Sequence, residues 1–250
     1  MTQDAWMIVF RKELVDALRD RRSLLLAFLF CWLGPLLAAV LSYTVPQPGL
    51  LPAFLLVAAF TAAMPLAIDS MAGERERGSL EPLLLNAVPP AELVVGKWLA
   101  IVALSLAGVV FNLVCTAIAV YATPLGNLPA ASLLWMCATV APLCILASGL
   151  QLLISTFARS HKEANSYLSF LTLAPMLIGI LGEFFPGRLW WLSAIIPVLG
   201  QQRMLSGLVH GHALHLPWLL AAGVCSILGG LIAVAANARL LRSEKVVFGR

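Results

Sequence analysis

Apolar residues enter this chain in long continuous runs, and polar ones in short clusters between them. Six runs stand out, at Leu24–Tyr43, Leu51–Ile68, Trp98–Tyr121, Ala131–Phe157, Tyr167–Leu181 and Pro217–Ala236. A run of about 20 residues crosses ~30 Å of hydrocarbon as a helix rising ~1.5 Å per residue. Backbone polar groups in lipid must be satisfied internally, so a spanning segment is a helix or part of a closed barrel. These runs do not alternate with period two, which selects helices. The pattern therefore predicts an all-α integral membrane fold with six transmembrane helices. A further apolar stretch, Leu189–Gly207, is interrupted by Pro197 and Gly200 and ends in Gln201, Gln202 and Arg203. It predicts an outer re-entrant hairpin over 184–207 before the last span, with a seventh crossing as the rival reading.

Ahead of the first run, Trp6, Phe10, Leu14 and Leu18 recur every four residues, which stacks them on one helical face. Arg11, Asp16, Arg19 and Asp20 fall largely away from that face. Residues 1–22 thus predict an amphipathic helix in the membrane interface, and 23–250 a transmembrane domain. A basic anchor without a mechanical role is the alternative. The leader is too long and too acidic for a simple cleavable signal.

Composition agrees with the pattern. The chain of 250 residues is 61% hydrophobic and 11% charged, against about 25% charged in soluble domains. Charge then sets the expected orientation. With both termini cytoplasmic and six crossings, 14 of the 16 Lys and Arg lie inside, leaving only Arg188 and Arg203 outside. This is the positive-inside bias of multi-span membrane proteins; the expected location is a bacterial cytoplasmic membrane, and no nucleic-acid partner is expected. The five cysteines lie in apolar runs without a C-x-x-C pair, as packing residues do. His210, His212 and His215 crowd the outer side. Three histidines at that spacing have the chemistry of a zinc or copper site, or are incidental; no metal site is assigned.

The longest polar stretch between spans is 69–97, DSMAGERERGSLEPLLLNAVPPAELVVGK. Glu74, Arg75, Glu76 and Arg77 alternate in sign, and Gly78 can end the helix descending from the second span. Ser79 then suits an N-cap, with Glu81 near the positive end of a short helix Leu80–Asn86 and Pro82 in its first turn. Its apolar residues include Leu83, Leu84 and Leu85, and Pro89–Pro90 stops it. A short helix with an apolar face and a mixed-charge rim suits docking into a partner's groove. A merely solvated loop is the competing reading.

The run Gly73-Glu-Arg-Glu-Arg-Gly-Ser-Leu-Glu81, followed by three leucines, Val88-Pro-Pro and Gly96–Lys97, resembles the signature loop of ABC-2-type transporter permeases. Ser79 stands where Thr is more usual there. Ile154–Tyr167 and Ile196–Gln202 are most similar to the NatB-like sodium-extrusion branch, although this chain lacks the large extracytoplasmic insertion of many of its members. The resemblance implies a half-transporter that pairs with a second permease chain, as a homodimer, and engages a separate ABC ATPase subunit. The coupling residues it implies are Glu74, Arg75, Glu76, Arg77, Ser79, Glu81 and Leu84. ATP and Mg would be bound by the partner. The residues concur, because a Walker A needs Gly-Lys-Ser/Thr and the one Gly-Lys here, Gly96–Lys97, is followed by Trp98.

No full charge is placed deep within a span by this reading, so a conduit would need neutral oxygens. Three polar stripes qualify: Asn165, Ser169 and Thr172 on the fifth span; Ser148, Gln151 and Ser155 on the fourth; Asn112 and Thr116 on the third. Small polar residues also glue helices together, and spacing alone does not separate the two uses. The expected function is export of a cargo across the membrane, sodium by resemblance, with a drug, lipid, haem or copper-related cargo as alternatives. A passive channel would not need a built cytoplasmic loop. An intramembrane hydrolase would need a nucleophile–base pair or metal ligands at membrane depth, and no H-E-x-x-H occurs. No catalytic residue is assigned, and the chain is not expected to be an enzyme.

Overall fold

A computed structural model describes residues 5–43, 50–80, 82, 88–123, 128–184, 196–212 and 215–242. Among these, all regular structure is helical. The leader forms α1 (Ala5–Arg19), and a one-residue break at Asp20 leads into α2 (Arg21–Leu41). The break has a clear cause: Asp20 caps α2, its carboxylate accepting from the Ser23 N–H at 3.3 Å. The second span is a composite of α3 (Leu50–Thr61), α4 (Met64–Ile68), a π-helical turn (Asp69–Gly73) and α5 (Glu74–Glu76). Then come α6 (Pro90–Ala122), α7 (Ala130–Phe157), α8 (His161–Phe184), α9 (Pro197–Val209) and α10 (Leu216–Leu240).

Among the described residues, five helices are long and apolar enough to cross a membrane: Arg21–Leu41, Leu51–Glu76, Pro90–Ala122, Ala130–Phe157 and Leu216–Leu240. The fifth predicted crossing lies within α8, whose 24 residues suffice in length but which is not among those five. Of the predicted re-entrant hairpin, 185–195 lie outside the described residues. The residues that follow form α9, whose 13 residues extend ~20 Å.

Helix lengths depart from the hydropathy runs in one systematic way. The second and third spans continue past their apolar runs, to Glu76 and back from Pro90. Much of the polar stretch 69–97 is therefore helical extension of the two spans rather than loop.

Small residues set the helix–helix distances, as in other membrane bundles. A Cβ on Gly149 would lie 2.9 Å from the Gly230 carbonyl, and one on Gly230 would lie 2.7 Å from that of Ile145, which locks α7 to α10. A Cβ on Gly108 of α6 would meet Ala62 at 2.0 Å. The largest apolar core gathers Leu66, Met71, Leu80, Ile101, Leu152 and Leu168 from the second to fifth spans. In contrast, α2 turns Leu25, Leu29, Phe30 and Val40 outward, and α8 turns Phe170 and Leu177 outward. Broad apolar exposure of this kind is what a bilayer or a second chain covers.

Candidate functional site

The end of the second span carries the most densely connected polar residues. Its π turn is built around a foreign hydroxyl. Ser155 of α7 donates to the Ile68 carbonyl at 3.2 Å and accepts from the Ala72 N–H at 3.1 Å. Those two backbone groups would bond each other in an α-helix. The hydroxyl stands between them, and the helix widens by one residue, an established cause of local bending. Gly73 belongs to the same turn. A Cβ there would lie 2.4 Å from Asp69 Oδ1, an oxygen that Arg77 holds at 2.6 Å in a two-bond pair.

Each residue of the Glu-Arg-Glu-Arg run holds a different element. Glu74 is buried, and Lys97 Nζ donates to it at 2.9 Å. Arg75 donates to the Ala158 carbonyl at 2.8 Å, at the C-terminal end of α7. Glu76 accepts from the His161 N–H at 2.7 Å, at the start of α8, where helix amides lack internal partners. Arg77 closes back on Asp69. Gly78 has φ +67°, which ends the helix at little steric cost. The Ser79 N–H and hydroxyl both donate to the Glu74 carbonyl, at 2.9 and 3.1 Å. Ser79 thus closes the preceding helix; the short helix it is expected to cap runs into residues outside those described. Leu80 anchors the turn in the core at 2% exposure. The remaining predicted coupling residues, Glu81 and Leu84, lie outside the described residues, as do 83–87.

The sequence reading missed the partners of Glu74. Lys97, counted there as a loop charge, is fully buried at the foot of α6. Its ammonium sits between Glu13 of α1 at 2.8 Å and Glu74 at 2.9 Å. Lys12, half-exposed, approaches the same carboxylates at 3.4 and 3.5 Å. Two cations and two anions make a neutral set, the condition under which burying charge is tolerable. Burial pulls the Lys12 pKa down, but Glu13 and Glu74 outweigh it, so the net shift is upward. Gly96 makes the set possible. A Cβ there would lie 2.6 Å from the Trp6 carbonyl and 2.8 Å from Val9, so only glycine lets α1 settle against α6. A signal was present: Glu13 lies three residues after Phe10 and four before Ala17, both packed against the main core. A carboxylate on an apolar face calls for a buried cation.

The leader accordingly uses its faces differently from the sequence expectation. Trp6, Phe10 and Leu14 are partly buried, while Leu18 is exposed along with Ile8 and Val15. The linker between α7 and α8 is also tied. Ser160 accepts from the Glu163 N–H at 3.3 Å, and Glu163 accepts from the Arg159 N–H at 2.8 Å. That bond to Arg159 is the main cause holding the Glu163 carboxyl below its ordinary pKa.

The three polar stripes separate. Asn112 donates to the Cys31 carbonyl at 2.6 Å and accepts from Thr116 at 3.4 Å. Gln151 donates to the Phe60 carbonyl, and Ser148 is fully buried on the same helix. These residues, with Ser155, lie in helix interfaces. Asn165, Ser169 and Thr172 instead line a cavity of about 810 Å³. Its other walls come from α1, α2 and the composite second span. None of the five cysteines forms a disulfide among the described residues. His210 is bonded through Nδ1 to the Ser206 carbonyl at 2.8 Å, with its ring 6.3 Å from that of His212.

Residues 33–205 match the family described as ABC-2 family transporter protein. The chain belongs to that family. An ABC-2 permease is a membrane-spanning transporter subunit, which accords with the apolar helices here. The chain is also 30% identical over 209 residues to the ABC transporter permease protein NatB of Bacillus subtilis (strain 168). That alignment covers 80% of this chain and 54% of the relative, so this permease spans about half the length of the protein it matches. An ABC ATPase is the general partner of such a permease.

Proposed function

We propose that this permease exports its cargo as a pair of chains driven by a separate ATPase subunit, with residues 69–86 as the contact that the ATPase moves. In this reading α8 supplies the fifth of six crossings, both termini face the cytoplasm, and the membrane is the bacterial inner membrane. ATP and Mg belong to the partner. The observation that carries the proposal is the division of labour along Glu74–Arg77. One short segment holds α1 and α6 through Glu74, the end of α7 through Arg75, and the start of α8 through Glu76. A push on this elbow reaches the α8 wall of the cavity through the hydrogen bond from the His161 N–H to the Glu76 carboxylate. A solvated loop has no use for such ties.

Sodium is the cargo implied by similarity to the sodium-extrusion branch. A larger cargo is favoured by a specific observation, the 810 Å³ cavity beside the elbow, because a bare ion needs only a few oxygens at contact distance. The test combines topology and partnership. The exposed Ser79 is replaced by Cys in a background where the five native cysteines are changed to Ser or Ala. Labelling by a membrane-impermeant maleimide is expected in inside-out but not right-side-out vesicles. An ATPase subunit co-expressed from the same operon is expected to co-purify with the chain. Labelling only from outside, or a chain that purifies without any ATPase, overturns the proposal.

A further inference from the structure

We infer that the cavity between α1, α2, the composite second span and α8 is a binding site for an amphiphilic organic cation. This deepens the permease reading and rests on it for direction of transport, but the binding claim stands on the cavity itself.

Size comes first. About 810 Å³ lies within the range of organic-ligand pockets, roughly 300–1,000 Å³, and is far beyond the needs of a metal ion. Distribution of polarity comes second. One end is lined by Glu13, Asp16, Asp20, Asp69 and Glu74 against Lys12 and Arg77. Arg77 neutralises Asp69, and the buried Lys97 joins Lys12 in neutralising Glu13 and Glu74. Asp16 is left over, with no ion pair among the described residues, while Asp20 caps α2 and lies beside Arg22, so this end keeps one uncompensated carboxylate. The other end is apolar. Leu26 and Phe30 of α2 stand there with Leu173 and Met176 of α8, all exposed, so a hydrophobic body can arrive from the side. Third, Glu74 is 6% exposed, lines this cavity, and its Oε2 has no hydrogen-bond partner among the described residues. A buried carboxylate oxygen without a partner is costly, and a bound cation would offset its charge electrostatically. Asn165, Ser169 and Thr172 supply neutral polar contacts along the α8 wall.

An anionic amphiphile, such as a phospholipid with an uncompensated phosphate, is repelled by the same end. A hydrated sodium ion leaves the apolar half unused.

The experiment measures binding of tetraphenylphosphonium to the purified full chain in nanodiscs of zwitterionic lipid. Tetraphenylborate, of the same shape and opposite charge, and sodium chloride are the controls. Saturable binding of the cation is expected, with tetraphenylborate at least about tenfold weaker through the sign of the local potential. The double variant Asp16→Asn, Asp20→Asn is expected to weaken tetraphenylphosphonium by about five- to tenfold. Asn is as good an N-cap as Asp, so the α1–α2 junction survives that change. Thr172→Trp is expected to weaken binding by intruding on the cavity from the α8 wall. A size-exclusion profile like that of the unaltered chain shows that each variant is folded. Equal affinity for the two organic ions, or binding indifferent to all these substitutions in folded chains, overturns the inference. Competition by millimolar sodium at constant ionic strength would assign the site to sodium and overturn it too. Failure of the chain to co-purify with an ATPase is a separate outcome, which defeats the transport reading and leaves the binding result standing.

Discussion

A lysine with no solvent exposure survives in a membrane protein only where its charge is matched. Lys97 meets that condition through Glu13 and Glu74. The net stabilisation from such a set is modest, because desolvation offsets most of the attraction, but removing one member leaves uncompensated charge and costs roughly 3–5 kcal/mol. Lys97→Met is therefore expected to reduce the folded yield severely, with two carboxylates left facing each other. Adding Glu13→Gln and Glu74→Gln to it should recover much of the loss, since uncharged groups of similar volume then fill the site. Thermal unfolding in detergent checks this by a mutant cycle. If Lys97→Met alone is as stable as the unaltered chain, the cluster does not hold the elbow.

Individual residues were unevenly legible. Glu74 to Arg77 stood out in the sequence because alternating charge between two spans is unusual. Their partners did not, because Glu13 lies 84 residues from Lys97, and no local pattern connects them. Ser155 was visible as part of a polar stripe, but its insertion between Ile68 and Ala72 is a fact of tertiary structure.

Among the elements, α1 departs most from expectation. Apolar spacing predicted a helix lying on the bilayer. The structure confirms the helix but aims Trp6, Val9 and Phe10 partly at protein, because Gly96 opens a place for its backbone. Gly96→Ala places a methyl group 2.6 Å from the Trp6 carbonyl, and a backbone atom cannot yield cheaply. The expected cost is about 1–3 kcal/mol, seen as a lower midpoint of thermal unfolding and faster proteolysis of α1. Ala at Gly78 is a separate case, since nothing crowds it and only its φ of +67° resists substitution. Element boundaries were the least legible feature. Hydropathy ends where charge begins, yet the second and third spans continue as helix because Glu74 and Lys97 satisfy each other below the apolar run. A window that scores polarity alone reads that paired charge as loop.

At the scale of the whole molecule, the elbow and the cavity are parts of one arrangement. The six apolar runs gave the helical class, and the charge bias gave an expected orientation. The cavity was half legible: the stripe Asn165, Ser169, Thr172 marks one wall, but its acidic end comes from α1, whose placement the sequence did not reveal. Glu76 is the tie between elbow and wall, bonded to the first amide of α8 and exposed to solvent itself. Cutting it should leave the fold intact while removing the direct hydrogen bond from the elbow to α8. The decisive measurement is ATP hydrolysis by the assembled complex, with and without cargo, for Glu76→Ala against the unaltered chain. The variant is expected to insert, to retain its ATPase subunit and basal hydrolysis, and to lose cargo stimulation by about 2- to 30-fold, the range of typical coupling energies. Full stimulation in an assembled Glu76→Ala complex would contradict the account.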